Sequence, residues 1–543
     1  MATISAWLKR PLVALAIIAT VAAVPRLYHL GQPPDRVFDE VYYSKDACMY
    51  AGYTPHECGI TSSGEQYWVI QQAATRGETS WVHPQLGKWA IAAGILGEGN
   101  TPFGWRVASA AAGTAVVVLT AYMAWLLFGS ILWTYVAGLL LATETLTFVQ
   151  SRVSMLDIFL AFWVVVGFTC LLLDRRWIER FEHGPSFGPG AMAVEEPVSE
   201  MQRPTRVDVP SPIWRPWRFA AGFAFGAAAS TKWSGALALL AAALLAAEWE
   251  IARRRSAGVE HPLWDSIKLE LLGGVLAFLI VPIGVYLVSY TRYFVYQSWH
   301  PSVWWDMQRA AFHFHHSELP YINSDGKHTH PYESKPWLWF AMTRPVSYYF
   351  KSPGTEILAM GHPLLFWTSV LVLPYVGVAW IGRRAAAFIR ATPGAIGRFV
   401  MLRGKKTEEE TGAEERAEAR GTVMDRRDWR AGFIVVAALV QYLPWFLAAG
   451  EVQFIFYILP VVPFLVLAAV YVLRDLSEAR SVQAVVDERN GATSQVVKRP
   501  WAIIAVGYVV LYVLMFLWFY PILTGWHLSY TLWRYHMWMN SWI

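Results

Sequence analysis

Apolar runs of about twenty residues recur through most of the chain and limit its fold more than any other feature of the sequence. The clear ones lie near 105–128, 132–150, 156–174, 218–250, 268–290, 361–381, 430–448, 454–473 and 501–523, after a shorter run at Leu12–Val24. A helix of about 20 such residues crosses the ~30 Å hydrocarbon core of a bilayer. There, every backbone donor and acceptor must be bonded within its own segment. The chain is therefore expected to be an all-α polytopic membrane protein. Composition agrees: of 543 residues, 55% are hydrophobic, 15% aromatic and only 16% charged, a mix suited to lipid contact with aromatic belts. Leu12–Val24 follows Lys9 and Arg10 and has the outline of a signal peptide. The many spans behind it favour an uncleaved first helix.

The charges between the spans sort by side. Basic residues cluster at 175–180, 253–255, 383–390, 403–406, 426–430 and 498–499, and the positive-inside rule assigns these segments to the cytoplasm. Loops 31–104 and 291–360 then lie outside. A single span at 218–250 would break this pattern, because 175–217 and 251–267 both carry arginines. The polar stretch Ser230-Thr231-Lys232-Trp233-Ser234-Gly235 falls midway along that run. Two short helices meeting at this tip restore parity. The expectation is about 11 transmembrane helices, with the N-terminus cytoplasmic and the C-terminus extracytoplasmic.

Residues 1–543 read as one integral membrane domain. Its parts are a first extracytoplasmic loop (31–104), a cytoplasmic connector (175–217), a second extracytoplasmic loop (291–360) and a charged cytoplasmic loop (383–429). The net charge of +5 is mild, and no basic stripe interleaved with exposed aromatics appears, so no nucleic-acid partner is expected. Three cysteines are too few for a disulfide framework or a zinc site. Cys170 sits in an apolar run and reads as packing. Cys48 and Cys58 share the first loop, where two readings stand: a disulfide if the loop is extracytoplasmic, or two buried free thiols.

The outer loops hold the unusual residues. The first opens on Phe38-Asp39-Glu40-Val41-Tyr42-Tyr43 and continues to His83-Pro84-Gln85-Leu86-Gly87-Lys88. The segment from Lys88 to Leu96 is amphipathic and suits the membrane surface. The second carries His330-Pro331-Tyr332-Glu333-Ser334-Lys335-Pro336-Trp337 and then Arg344-Pro345. The proposed topology adds Arg106, Arg152, Asp157 and Lys232 to the same side. Charged groups facing an aqueous cavity of a membrane protein are functional by default. Cations at the interface would hold a lipid-linked phosphate. A nearby carboxylate would deprotonate an incoming hydroxyl, aromatic walls suit a sugar ring, and positive charge would stabilise a departing phosphate. A membrane glycosyltransferase using a polyprenyl-phosphate sugar fits this inventory. A transporter would place its polar groups near the midplane on broken helices, and only the 230–235 break is of that kind.

These pieces, with Arg26 ahead of them, Ser151-Arg152…Leu156-Asp157 between them and Phe456-Tyr457-Ile458-Leu459-Pro460 behind, resemble the protein O-mannosyltransferases. They run in family order from about residue 25 to 460. The usual HPPL is HPQL here, and the large soluble insert of eukaryotic members is missing, so the chain looks like a bacterial member. The resemblance implies a class C glycosyltransferase fold and transfer of mannose, with inversion, from polyprenyl-phosphate-mannose to Ser or Thr hydroxyls of exported proteins. It implies Asp39 as the catalytic carboxylate, with Glu40 positioning donor or acceptor. Arg26, Arg106 and Arg152 would shape the site, and Lys232 is our choice for the donor phosphate. His83, Asp157, His330, Tyr332, Lys335 and Trp337 would complete substrate binding. The partners implied are the lipid donor, exported acceptor proteins with the export machinery, and the bilayer. The spacing of His313, His315, His316, His328 and His330 fits no standard zinc pattern, so no metal and no cofactor is expected.

Plainer readings stand beside these. Asp39 and Glu40 could cap an interfacial helix, Arg152 and Asp157 could form a structural ion pair, and Lys232 could be a snorkelling lysine. The tail from Trp526 to Trp542 reads as an interfacial anchor or a cover over the lipid's route. The alternatives for function are a related transferase acting on a glycolipid or polysaccharide, and a transporter.

Overall fold

The computed structural model describes residues 10–60, 81–183, 214–296, 299–317, 330–352, 354–391, 429–448, 452–478, 481–486, 493–498 and 501–543. The glutamate run at 408–415, most of the 175–217 connector and of the 383–429 loop, and His328 lie outside them. Helices follow in the expected order. They are α1 (Pro11–Leu27), α2 (Glu40–Tyr50), α3 (Leu86–Glu98), α4 (Pro102–Phe128), α5 (Ile131–Ala142), α6 (Thr145–Gln150), α7 (Leu156–His183), α8 (Pro216–Ala229) and α9 (Gly235–Ser256). α10 (Pro262–Ser289) comes next, then α11 (Thr291–Tyr296), α12 (Pro301–Ser317) and α13 (Pro336–Trp339). After a hairpin of β1 (Val346–Ser352) and β2 (Thr355–Ala359) comes α14 (Pro363–Ala391). The helical segments α15 (Trp429–Phe446) and α16 (Ile455–Glu478) follow. A second hairpin, β3 (Ser481–Val486) with β4 (Thr493–Lys498), leads to α17 (Ala502–Thr524) and the tail helix α18 (Tyr530–His536).

Among the described residues, eight helices are long and apolar enough to cross a membrane, and α1 and α5 are shorter apolar helices. The molecule is a multi-pass membrane protein. α7 and α16 form its centre, most of their length buried, whereas α10, α14 and α17 leave most of theirs exposed, as lipid-facing helices do. The run at 218–250 is indeed two helices, α8 and α9, meeting at a tight turn over Ser230–Ser234. The run at 132–150 differs from the expectation of one helix. It breaks at Thr143–Glu144, where the Glu144 carboxylate accepts from the amides of Leu146 and Thr147 and starts α6. A buried acid that caps a helix in this way replaces the backbone bonds the break removes.

The two ends of the bundle carry different chemistry. Asp157 begins α7 and Asp174 lies near its far end. Seventeen residues of helix separate them by roughly 25 Å. At the far end Arg215 pairs with Asp174 (2.6 Å) and Glu250, and Arg218 with Glu270 (2.6 Å). Arg254 bridges Glu250 and Glu270, and Arg253 also pairs with Glu250 (2.6 Å). This buried network staples α7, α8, α9 and α10. Arg253 and Arg254, of the basic cluster assigned to the cytoplasmic side, thus take internal partners. At the other end stand the loop residues singled out above.

The C-terminal tail clasps the loop that precedes α14. The buried indoles of Trp533 and Trp542 donate to the Glu356 carboxylate (2.9 Å) and the Met342 carbonyl (2.7 Å). Leu528 N–H donates to Gly354 O (2.8 Å). The tail therefore fixes the β1–β2 hairpin, while Trp526 and Trp538 remain largely exposed.

Candidate active site

Asp39 is the residue just before α2, in the N-cap position, yet its side chain makes no capping bond. Glu40 instead accepts from the Val37 amide (2.9 Å). The cap reading therefore fails for Asp39, whose carboxylate turns toward the residues of other elements. The Tyr43 hydroxyl, one helical turn on, lies 3.5 Å from it. Burial pushes the Asp39 carboxyl up to about 6, the nearby Lys232 ammonium opposing the shift and the Asp157 carboxylate adding to it.

Lys232 comes from the α8–α9 tip. Its ammonium bonds both oxygens of Asp157, at 2.9 and 3.1 Å, and stands 4.7 Å from the centre of the Tyr457 ring and 5.8 Å from that of Phe456. Cation–π contact of this kind adds to the hold of the Asp157 carboxylate on the lysine. Thr231 and Ser230 return their hydroxyls to the carbonyls of Ala227 and Gly226, which closes the turn. The tip also accepts the Leu86 amide on Ser230 O (3.1 Å). Gly87 packs there so tightly that a Cβ would meet Leu156 at 2.8 Å and Thr231 at 3.1 Å. The first loop, the start of α7 and the tip are thereby locked together.

The arginines form a layer behind the carboxylates. Arg106 donates to Glu40 through Nε and Nη2, each at 2.8 Å, and to the carbonyls of Leu30, Pro33 and Asp35. Glu40 also accepts from Ser154 N (2.7 Å); it is fully buried and all its partners are internal. Arg152 donates to the carbonyls of Pro25 and Arg26, which the end of α1 leaves without helical partners, and to those of Tyr28 and His29 in the turn that follows. This role stands in place of the alternative reading of an ion pair with Asp157, which instead takes Lys232. Arg26, also fully buried, donates to Ser151 Oγ (3.1 Å) and to Ala22 and Ala142 carbonyls. Both guanidiniums lie over Phe148. Arg26, Arg106 and Arg152 thus pin the end of α1 and the turn leading to Asp39.

His83 lies beside Tyr43 (ring centres 6.0 Å) and His315 (5.3 Å). Burial, with the charge of Lys232, holds it well below its usual range, so it is neutral at pH 7. His330 accepts the Tyr332 amide (3.2 Å) and meets Phe454 edge-on. Phe454 in turn touches Phe38, which brings that motif to the rim. Lys335 pairs with Glu333 (2.6 Å), and the exposed Trp337 meets Phe446. Among the described residues no group of three His, Cys, Asp or Glu could hold a metal ion. Cys48 and Cys58 form a disulfide (2.08 Å) between the end of α2 and the turn after it. Lys88, from the His-Pro-Gln-Leu-Gly-Lys motif, is buried against Asp46 (3.1 Å).

The sequence reading gave no role to Tyr43, Gln150, Tyr348 or Tyr457. Burial and the charges of Asp39 and Asp157 raise the Tyr43 and Tyr348 phenols well above their usual value, so they stay protonated around the carboxylates. Gln150 donates to the Tyr348 hydroxyl (2.7 Å). Tyr43 sits at i+4 from Asp39 on one helix face, a spacing legible in sequence. Tyr348 comes from a distant hairpin and gives no local signal. One turn past Asp157, Leu160 lines a narrow crevice of about 10 Å³ with Ser234, Gln441, Trp445, Tyr457, Pro460 and Val461. It is mostly apolar and adjoins the aromatic face under Lys232.

The sequence profile described as "Dolichyl-phosphate-mannose-protein mannosyltransferase" matches residues 16–181, and "C-terminal four TMM region of protein-O-mannosyltransferase" matches 301–542. The polyprenol-phosphate-mannose--protein mannosyltransferase of Mycolicibacterium smegmatis (strain ATCC 700084 / mc(2)155) is 31% identical, covering 97% of this chain and 92% of its own. That of Mycobacterium tuberculosis (strain CDC 1551 / Oshkosh) is 29% identical, covering 97% and 91%. One chain of the S. cerevisiae Pmt1-Pmt2 complex, solved with the sugar donor bound, superposes with a TM-score of 0.62 at 13% identity, covering 100% of this chain and 94% of that one. The fold is that of the membrane glycosyltransferases, and the chain belongs to the protein O-mannosyltransferase family.

Proposed function

We propose that this protein transfers mannose from polyprenyl-phosphate-mannose to Ser and Thr hydroxyls of exported proteins, with inversion, at the extracytoplasmic face of the cell membrane. The observation that carries the chemistry is the uncapped Asp39 carboxylate beside the Asp157–Lys232 pair. In the transfer, the acceptor oxygen attacks the anomeric carbon and its proton goes to Asp39. The bond from that carbon to the phosphate oxygen breaks, and the electron pair leaves with polyprenyl phosphate. A general base works best with a pKa near the operating pH, and Asp39, held near 6, remains ionised at pH 7.

Lys232 supplies positive charge for the phosphate, where negative charge develops as the bond breaks. Asp157 holds that ammonium in position until the phosphate arrives. Glu40 and the three arginines fix the turn that carries Asp39. His83, His330, Tyr332, Lys335 and Trp337 serve the mouth of the site. The disulfide in Asp39's own loop supports an extracytoplasmic site, since such bonds persist in oxidising compartments. Acceptors then reach the enzyme as they leave the export machinery.

The test uses membranes holding the protein, radiolabelled polyprenyl-phosphate mannose and a Ser/Thr-rich peptide. Mannosylated peptide with anomeric configuration opposite to the donor is expected. Sealed vesicles of known orientation, given an impermeant peptide, report the face. Robust transfer of a different sugar with none of mannose would sink the proposal.

A further inference from the structure

We propose that Tyr348, on the second outer loop, is a positioning residue for Asp39 and acts through the ring of Phe38. The inference rests on Asp39 being the base. Phe38 has φ +47°, a left-handed conformation that a bulky residue keeps only when its surroundings over-determine it. The dihedrals of residue 38 set where Asp39 stands, so whatever holds Phe38 also aims the carboxylate. Three rings hold it. Tyr348 stacks on it (centres 4.8 Å, planes 21° apart), and Phe454 and Phe456 meet it edge-on at 6.2 and 5.9 Å.

Tyr348 is itself fixed in an unusual way. Ser347 pairs with Leu358 and Tyr349 with Ile357. Tyr348 is therefore the extra residue of a β-bulge, a device that re-aims one side chain out of a hairpin's regular alternation. Its hydroxyl is tied by the amide of buried Gln150, at the end of α6. Its ring also meets Phe456 edge-on at 5.9 Å. The hairpin behind it is clasped by the tail, through Trp533 to Glu356 and Leu528 to Gly354. An unbroken line of contacts thus runs from the C-terminal tail through β2, β1 and Tyr348 to Phe38 and Asp39.

A ring that merely filled space would affect stability and leave the folded enzyme's kinetics alone. The experiment takes the full-length protein in detergent, with folding of each variant checked by thermal unfolding. Tyr348→Leu, which keeps bulk but loses the stack, is expected to lower kcat about 100-fold, the loss for a misplacement of roughly 1 Å. The donor KM should stay within about twofold, because Lys232 is untouched, and the acid limb of kcat/KM should move below 6 as Asp39 reaches water. Tyr348→Phe keeps the stack and should lose no more than about tenfold, the ceiling for one neutral hydrogen bond. Phe38→Leu reads the same contact from its other side, and adding it to Tyr348→Leu should cost little more than either alone. Wild-type kcat and an unmoved acid limb in folded Tyr348→Leu, or fully multiplicative losses in the double variant, would overturn the inference. Asp39→Asn separates the two ideas: activity there removes the base assignment itself. An inactive Asp39→Asn beside an unimpaired Tyr348→Leu removes only the role of Tyr348.

Discussion

Glu40→Gln against Asp39→Asn decides how two adjacent carboxylates divide their work. The Glu40 oxygens receive four donors: Arg106 Nε and Nη2, and the amides of Ser154 and Val37, all within 2.9 Å. A glutamine keeps the shape but offers one accepting oxygen and turns an NH2 group toward donors. It also leaves the Arg106 guanidinium, 1% exposed, without its counter-charge. Breaking a buried ion pair by removing one partner costs about 3–5 kcal/mol. The carbonyls of Leu30, Pro33 and Asp35 still accept from Arg106, which argues for the lower end. Even about 3 kcal/mol is a large share of the 5–15 kcal/mol that usually holds a fold. Asp39 is the reverse case. Its carboxylate has no capping bond, and burial disfavours its charged form. The raised pKa means that the folded state prefers the proton, so stability falls as pH rises from the ordinary carboxylate range through 6. A neutral Asn removes that cost. In detergent-solubilised enzyme, Glu40→Gln should melt earlier than wild type and lose activity in step. Asp39→Asn should melt at or above the wild-type temperature and be inactive. The reasoning fails if Glu40→Gln melts normally yet is dead, or if Asp39→Asn is active.

Other consequences can be checked with the same preparation. The rate should fall below pH 6 with unit slope, because Asp39 must be ionised to accept a proton. Asp157→Asn removes a like charge and releases Lys232, both of which lower the Asp39 pKa, so that acid limb should shift down; an upward shift would contradict the geometry. Lys232→Met should raise the donor KM about 10- to 100-fold, the worth of one charge-assisted hydrogen bond, with the acceptor KM unchanged in a two-substrate titration. Replacing Cys48 and Cys58 together by Ala opens a loop with a sequence separation of 10 and should cost about 2–3 kcal/mol, read as earlier local proteolysis or melting.

What the sequence reveals and what it hides follow from the range of each interaction. Spans are written locally, as runs of apolar residues, and were legible. So was the α8–α9 tip, because an odd number of crossings would strand one set of arginines on the wrong side. The motif residues Asp39, Asp157 and Lys232 do meet, although they come from three elements. Roles are another matter, since a role depends on what stands opposite. Arg152 reads as a site cation or a partner for Asp157 five residues away, yet it turns back to four carbonyls at and just past the end of α1. Nothing near residue 152 announces that α1 ends there. Glu40 looks equivalent to Asp39 in one dimension and differs only because Arg106 lies against it in three. Tyr348 is the extreme case. Its bulge is defined by pairing across the hairpin, its hydroxyl by Gln150 and its ring by Phe38, and none of these neighbours is close in sequence. In a polytopic protein the helices must be self-sufficient in backbone bonds, so their sequences report them faithfully. The loops that build the site are held by one another, and for them a single stretch of sequence gives residue types without partners.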